Sequence, residues 1–365
     1  LEARAKRVTA VYRQSGGGKG EDADIDPFMG VEEAARRRDF TMNAMMRDAL
    51  TGALIDRFGG QADIQNRVIR HVDERTFRRD PLRAIRAAQF AARLEFAIAP
   101  ETMALCRTLD LGGLARESVM GEMEKALTRS GRPSRCFEAL REMRQLEPWL
   151  KEVAALIGVK QRADCHPEGD AWTHTMLVVD EAAKLRDEAK NPTGLMLAAL
   201  LHDVGKAVAM QEKGGVIHAY GHETAGVPLA EDFLRRLTGE KALCRYVLNM
   251  VELHMKPNMY AAQNSGQKAW NRLFDRSACP EDLLLLAKAD HWGRINAAPY
   301  AETERMIRTR LSAFEEMMAR PHITGADLLA RGIQPGEEMG RLLEEAHRLR
   351  LAGVKKEDAL RQMRL

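Results

Sequence analysis

Aromatic residues make up only 5% of this 365-residue chain, and Pro and Gly are not enriched. With abundant Ala, Leu, Met, Glu and Arg, that balance leans towards helices by intrinsic propensity. Five cysteines are scattered at 106, 136, 165, 244 and 279 without a CxxC among them. Such spacing argues against a disulfide framework or a zinc ribbon and for reduced thiols in the cytosol. No uncharged apolar run approaches ~18 residues, so a membrane span is not expected. The start, Leu1-Glu2-Ala3-Arg4, is not a signal peptide and lacks an initiator Met, which points to a trimmed chain. The glycine-rich stretch Ser15-Gly16-Gly17-Gly18-Lys19-Gly20 does not match GxxxxGK[ST], so it reads as a hairpin tip, not a P-loop. There is no internal repeat and no low-complexity region. A cytoplasmic protein with no obligate protein partner is the expectation.

What is present is a chain that can bury a core, with 45% hydrophobic and 30% charged residues. Its net charge of +3 is unevenly spread. Residues 64–93 hold eight Arg (67, 70, 75, 78, 79, 83, 86, 93) against Asp73, Glu74 and Asp80. Such a stripe can neutralise phosphates, although a solvated helix face would look the same. Residues 1–12 read as a strand, 31–48 as a helix, and 54–58 as a short strand before the Gly59-Gly60 turn. From Asp80 the pattern is helical almost throughout. Leu82, Ile85, Ala88 and Ala92 recur at helix spacing, leaving Arg83 and Arg86 on another face. Polar residues and Pro167-Glu168-Gly169-Asp170 mark a boundary near 155–170, followed by a helical domain over 171–318. Thr324 and Asp327 resemble a capping box, and Gln334-Pro335-Gly336 precedes an amphipathic segment near 337–350.

The chemistry-bearing residues of the second half are His174, His202-Asp203, His222, His254 and Asp290, with His218 nearby. His202-Asp203 ends the apolar run Leu195–Leu201, and Asp290 follows Leu283–Ala289. A buried helix that delivers His and Asp at its polar end must satisfy both groups there. A divalent cation does so, since imidazole nitrogen and carboxylate oxygen are good ligands for it. His174, the His202-Asp203-x-Gly205-Lys206 signature and Asp290, in that order, resemble the HD superfamily of metal-dependent phosphohydrolases over about residues 166–295. His222 and His254 fall where two-metal members place extra ligands, although core histidines would fit those places too; His218 reads more naturally as structural. The resemblance implies a cation that polarises a phosphoryl oxygen and acidifies a bound water, with Asp203 bridging two metals if both are present. Asp203 and Lys206 are then the expected catalytic residues, Lys206 stabilising phosphate charge unless it is a surface lysine. Mixed N/O ligands suit Ni, Mn, Co, Fe or Mg better than structural zinc.

In the first half, Arg37, Arg38, Asp39 and Asn43 lie within Arg36-Arg37-Arg38-Asp39-Phe40-Thr41-Met42-Asn43-Ala44. Downstream come Asp56 with Gly59-Gly60, Asp63-Ile64-Gln65-Asn66-Arg67, and Asp80-Pro81-Leu82-Arg83-Ala84-Ile85-Arg86. Taken singly, these fit either nucleotide contacts or ordinary helix salt bridges. Taken in order, they resemble class II tRNA nucleotidyltransferases and the related bacterial poly(A) polymerases. Ile323-Thr324-Gly325-x-Asp327-Leu328-Leu329 and Gly332-x-x-Pro335-Gly336-x-x-Met339-Gly340 extend the likeness into the tail. The resemblance implies that Asp80 and Arg83, with Arg86 beside them, read the base of CTP or ATP, and that Arg37, Arg38, Asp39 and Asn43 contact the nucleotide. It also implies Mg for nucleotidyl transfer. Departures from the family pattern are Arg79 in place of Glu, Gln89 in place of Arg, and no upstream GGxxRD or DxD carboxylate pair. Glu2 falls where the family's third head carboxylate lies, so the chain is expected to begin one strand late. Asp22, Asp24 and Asp26 lie after that strand and are poor substitutes.

The expected fold is mainly α. A short α/β head remnant (1–62) precedes a helical neck for base and RNA binding (63–155), an HD domain (156–318) and a helical tail (319–365). The expected function is CCA addition to tRNA or other RNA 3′ ends from CTP and ATP. It is coupled to HD phosphatase or 2′,3′-cyclic phosphodiesterase activity that trims RNA ends. Alternatives are an HD phosphohydrolase with an inactive head, a poly(A) polymerase, or an RNA-binding protein using the Arg stripe.

Overall fold

A computed structural model describes residues 30–162, 166–214 and 216–365. The expected first strand, the glycine-rich tip, Glu2 and Asp22, Asp24 and Asp26 lie outside the described residues. Helices carry most of the described chain, and the sheets among the described residues have two strands each. The fold is mainly α, and no described helix is long and apolar enough to cross a membrane. The chain divides into two compact units. The first runs to Ala155 and takes in Phe233–Gly239; the second holds Leu156–Asp232 and Glu240–Leu365.

The first unit is organised on helix α1 (Leu82–Leu94), which packs against α2 (Arg116–Arg129) and α3 (Ser134–Glu142). Of the four periodic residues, Ile85, Ala88 and Ala92 are buried as their spacing predicts and Leu82 is half-buried; Ala84, Ala87 and Ala91 join the buried set. Small side chains along that face let neighbouring helices approach closely. The single helix expected over 31–48 is not formed. It stops at Arg36, followed by a 3-10 turn at Thr41–Asn43 and a strand at Met46–Arg47 that pairs antiparallel with Leu54–Ile55. The break has a local cause. The Asp39 carboxylate accepts from its neighbour Phe40 N–H (2.8 Å) and from Asn43 Nδ2 (3.0 Å). Such side-chain bonds offer the chain an alternative to the helical ladder. Phe40 meanwhile turns fully into the core, edge-on to Phe77 and Phe90.

In the second unit, α5 (Pro192–Leu201) is the central element, flanked by α4 (Ala171–Leu185), α7 (Lys241–Leu253) and α8 (Pro280–Trp292). Between α5 and α7 in the chain lies α6 (His222–Leu237), whose last turn belongs to the first unit. Leu195 to Leu201 are all at 0% exposure, as befits a helix that is apolar all round. Asn191 caps α5 by accepting from Gly194 N–H, and Asp170 caps α4 by accepting from Thr173 N–H. Buried Asp282 ties three elements together, accepting from Lys190 N–H, Asn191 N–H and the Tyr246 hydroxyl (2.6 Å). The region expected to be helical over 171–318 also contains an antiparallel hairpin, Gln211–Lys213 with Val216–His218. It is too short for a strand pattern to stand out, and Gly214, at φ 62°, permits the reversal.

The tail has its own small core of Ile323, Leu328, Leu342, Ala346 and Ala359. The expected capping box at Thr324 and Asp327 is present, preceding helix α9 (Glu337–Leu351). The Asp327 carboxyl lies well below its ordinary 3.8, chiefly through its bond from Lys356 and then through Thr324. A depressed folded-state pKa means that this contribution is complete above the unfolded value and disappears as pH falls towards the folded one. Pepsin should therefore cut 319–365 of the Asp327→Asn protein faster than the parent's above pH ~3.8, with the difference shrinking as pH falls below that value. A tail whose cleavage rate does not differ between the two proteins would refute this.

Candidate metal centre and nucleotide site

Five elements of the second unit converge on one point. His174 comes from the second turn of α4, His202 from the C-cap of α5, and Asp203 directly follows. His222 opens α6, His254 caps α7, and Asp290 lies in the last turn of α8. All six are buried, the most exposed being His222 at 5%. The two Asp203 oxygens face different partners. Oδ1 is 3.1 Å from His222 Nε2 and 3.8 Å from His254 Nε2. Oδ2 is 3.2 Å from His202 Nε2 and 3.7 Å from His174 Nε2. His174 Nε2 is 3.1 Å from Asp290 Oδ1. Two ligand triads meet at this point, His174, His202 and Asp290, and Asp203, His222 and His254; a third group, His166, Glu168 and His174, adjoins them through His174.

The ring orientations are built in. Nδ1 of His202, His222 and His254 lies 2.7–2.8 Å from the carbonyl oxygen three residues back, at Ala199, Ala219 and Val251. A carbonyl can only accept, so each Nδ1 carries the proton and each Nε2 lone pair faces inward. Nδ1 of His174 instead faces Glu168 Oε1, an ion-pair contact at 2.8 Å. His202 Nε2 is buried without a hydrogen bond of proper geometry. A cation would satisfy it, and the N/O donor set fits a divalent ion.

Burial alone would raise the Asp203 carboxyl, but His202 and Lys206 outweigh it and hold the group well below the usual range. Asp290 is likewise held ionised against burial by His174 and Arg294. Burial opposes the charged form of His174, yet bonds to Asp290 and Glu168 raise its pKa. His254, facing burial and then the neighbouring His202, is pushed down to about 3. The carboxylates are thus ready as ligands, and a cation entering the His174 side displaces protons.

Lys206 is no surface lysine: it is 8% exposed, its Nζ 2.6 Å from both Asp203 Oδ2 and Gln161 Oε1. It lines a cavity of about 230 Å³ with Asp203, His222 and Asp290. His218 lies on the cavity wall but in neither triad, and its ring stacks on Tyr220. Sequence reasoning missed Glu168, His166 and Arg294. Glu168 also sits 2.8 Å from His166 Nδ1, and Arg294 reaches Asp290 Oδ2 at 3.5 Å. An acid six residues before His174 gives no periodic signal. Only the fold brings it to the ring.

The first unit interlocks most of the predicted nucleotide residues. Arg86 grips Asp39 Oδ2 through Nη2 (2.6 Å) and Nε (3.0 Å), and reaches Glu122 at 3.2 Å. Lys125 joins Glu122 at 2.8 Å. Arg83 lies 3.6 Å from Asp80, while its guanidinium donates to the carbonyl oxygens of Arg37 (2.7 Å), Thr76 (3.1 Å) and Arg38 (3.5 Å). Arg37 is exposed beside Glu33, and Asn43 is tied to Asp39. Asp80 and Arg83 do stand side by side, but Arg83 must leave some carbonyls to offer its edge to a base. Gln89, where the family has Arg, is buried at 1% exposure.

Comparison with known proteins defines the class first. The family described as "Poly A polymerase head domain" matches residues 3–70, and the HD domain matches residues 171–292. A nucleotidyltransferase head and an HD domain therefore share one chain. The "Multifunctional CCA protein" of Burkholderia cenocepacia (strain HI2424) is 37% identical over 370 residues, covering 96% of this chain and 84% of that protein. The chain belongs to the multifunctional CCA protein family, and it is an enzyme of the nucleotidyltransferase class. Two solved structures share the fold. One is a CCA-adding enzyme in complex with ATP (TM-score 0.60, 17% identity, covering 94% of this chain and 73% of that one). The other is the Thermotoga maritima CCA-adding enzyme complexed with tRNA (TM-score 0.58, 18% identity, covering 91% and 74%).

Proposed function

We propose that this protein adds CMP and AMP to tRNA 3′ ends from CTP and ATP, and that its HD unit is a two-metal phosphohydrolase acting on 2′-phosphates or 2′,3′-cyclic phosphates. The transfer reading rests on family membership and on the side-by-side Asp80 and Arg83, with Arg37, Arg38, Asp39, Asn43 and Arg86 as nucleotide contacts. It takes Mg as its cation, a four-part division into head, neck, HD domain and tail, and a cytoplasmic setting. The phosphohydrolase reading rests on one observation: Oδ2 of Asp203 lies beside His202 and His174 of one triad, while Oδ1 lies beside His222 and His254 of the other.

His174, His202 and Asp290 would hold one cation, His222 and His254 the other, with Asp203 between them. When bound, divalent cations here supply Lewis acidity to a phosphoryl oxygen and acidify a water. Lys206 keeps Asp203 ionised and lines the cavity where phosphate charge would be met. Glu168 orients His174, and Arg294 does the same for Asp290 while adding positive charge to the wall. Purified protein should release phosphate or open 2′,3′-cyclic AMP when Ni or Mn is supplied. Independently, Arg83→Ala should lower discrimination for CTP and ATP over GTP and UTP by about tenfold, the worth of one ~1–3 kcal/mol base contact. Unchanged nucleotide selectivity in Arg83→Ala would refute the base-reading role.

A further inference from the structure

The cavity at the metal centre is lined by two kinds of side chain. Lys160, Arg162 and Arg294 are cationic, whereas Met210, Ile217 and Met255 are apolar and are joined by the His218–Tyr220 pair. The cationic groups suit a phosphate. The apolar ones offer nothing to a phosphate, so the lining fits a ligand with two chemically different ends.

Tyr220 is the odd residue of that lining. It is a large aromatic left 83% exposed, in a chain that buries most of its aromatics. Its ring lies flat against His218, with centroids 4.8 Å apart and planes within 14°. The pair is fixed at both ends. His218 closes the hairpin opposite Gln211, and Ala219 O is bound by the ring of His222. Gly221, at φ 74°, makes the turn into α6 that only a residue without Cβ adopts freely. Tyr220 is thus two residues from a metal-centre histidine, within about 7 Å of backbone. A flat ring, braced from behind and open in front, is a stacking platform.

We propose that Tyr220 is the base platform of the HD site: the nucleobase of a nucleoside 2′-phosphate or 2′,3′-cyclic phosphate stacks on it while the phosphate lies at the Asp203 end. The inference rests on the phosphohydrolase reading above and adds what selects the substrate. Base-free phosphate esters reach the same centre without that contact.

The test compares 2′,3′-cyclic AMP or 2′-AMP with glycerol 2-phosphate, which has no ring, in the Mn-loaded protein. Tyr220→Ala should lower the ratio of kcat/KM for the nucleotide to that for glycerol 2-phosphate by about tenfold, the scale of one lost base–aromatic stack. The loss should fall on KM, and Tyr220→Phe should restore the ratio. Titration calorimetry with 2′-AMP and with inorganic phosphate reads binding apart from turnover. Tighter binding of 2′-AMP that depends on Tyr220, with no turnover, upholds the platform and overturns the phosphohydrolase reading. Turnover with a ratio unchanged in Tyr220→Ala upholds the phosphohydrolase and overturns the platform. Neither binding nor turnover overturns both.

Discussion

Replacing Asp203 with alanine should abolish metal-dependent phosphate release, lowering kcat/KM by about three orders of magnitude or more. The expectation follows from its position. Every other ligand of the centre can be assigned to one triad, but the two oxygens of Asp203 serve both. Its removal takes a charge from each cation site at once, and metal polarisation is worth several kcal/mol at ~1.4 kcal/mol per tenfold in rate. The same change leaves Lys206 and the surrounding histidines without their shared anion. A broken buried ion pair costs about 3–5 kcal/mol, so the alanine variant should also unfold at lower denaturant. Asp203→Asn separates the two effects, because it keeps the shape and an oxygen while losing the charge. Its Mn affinity should fall sharply with a smaller loss of stability. Phosphate release in Asp203→Ala within tenfold of the parent protein, at equal metal content, would remove the HD centre as the active site.

Gly205→Ala should damage the same site without touching a ligand. A Cβ at Gly205 would stand 2.0 Å from His222 O and 2.5 Å from Gly226 N, both backbone atoms. Gly226 answers from α6, where its own missing Cβ leaves room for the Gly205 backbone at 3.2 Å. Gly205 has an ordinary helical φ of −67°, so the requirement is space and not conformation. Neither backbone can yield without moving α6, and with it His222. Overpacking of this kind costs about 3 kcal/mol, which for a unit of this size lowers Tm by roughly 6–12 °C. Because His222 moves, affinity for the second cation should drop about 10- to 100-fold, the usual range for a lost positioning contact. Thermal unfolding and metal titration of the one variant check both. A variant with the parent Tm and metal affinity would show that the two backbones can separate freely.

The HD residues are legible in the sequence because their chemistry conflicts with their surroundings. Leu195–Leu201 and Leu283–Ala289 are apolar runs that end in His or Asp, and an unpaired buried charge is too costly to persist without a partner. That conflict singles out His202, Asp203 and Asp290 from local pattern alone. His222 and His254 read equally well as ligands or core residues, because a lone histidine carries no such conflict. The fold places them, by setting α6 and α7 against α5. Lys206 is ambiguous for a similar reason, since a long side chain can lie at a surface or turn inward to an anion.

The front half shows the opposite weakness. The 31–48 stretch has helical composition, and its break at Arg36 depends on a carboxylate preferring Phe40 N–H and Asn43 over solvent. Periodicity places Arg83 and Arg86 on one face of α1, where the structure also has them. Their partners, however, are carbonyls of Arg37 and Arg38 and the buried Asp39 and Glu122, contributed by other segments.

The amino-acid sequence by itself determined the helical class, the order of the head and HD motifs, and His202, Asp203 and Asp290 at the HD centre. Each of those rests on local periodicity, on a charge at the end of an apolar run, or on the order of short motifs along the chain. The tertiary structure alone decided that Asp203 divides its two oxygens between two triads, that Glu168 orients His174, and that Gly205 lets α6 close on the site. It also decided that Tyr220 stands open at the cavity. These are distances between segments far apart in the chain, and no local pattern encodes them, because they are set by how buried apolar faces meet.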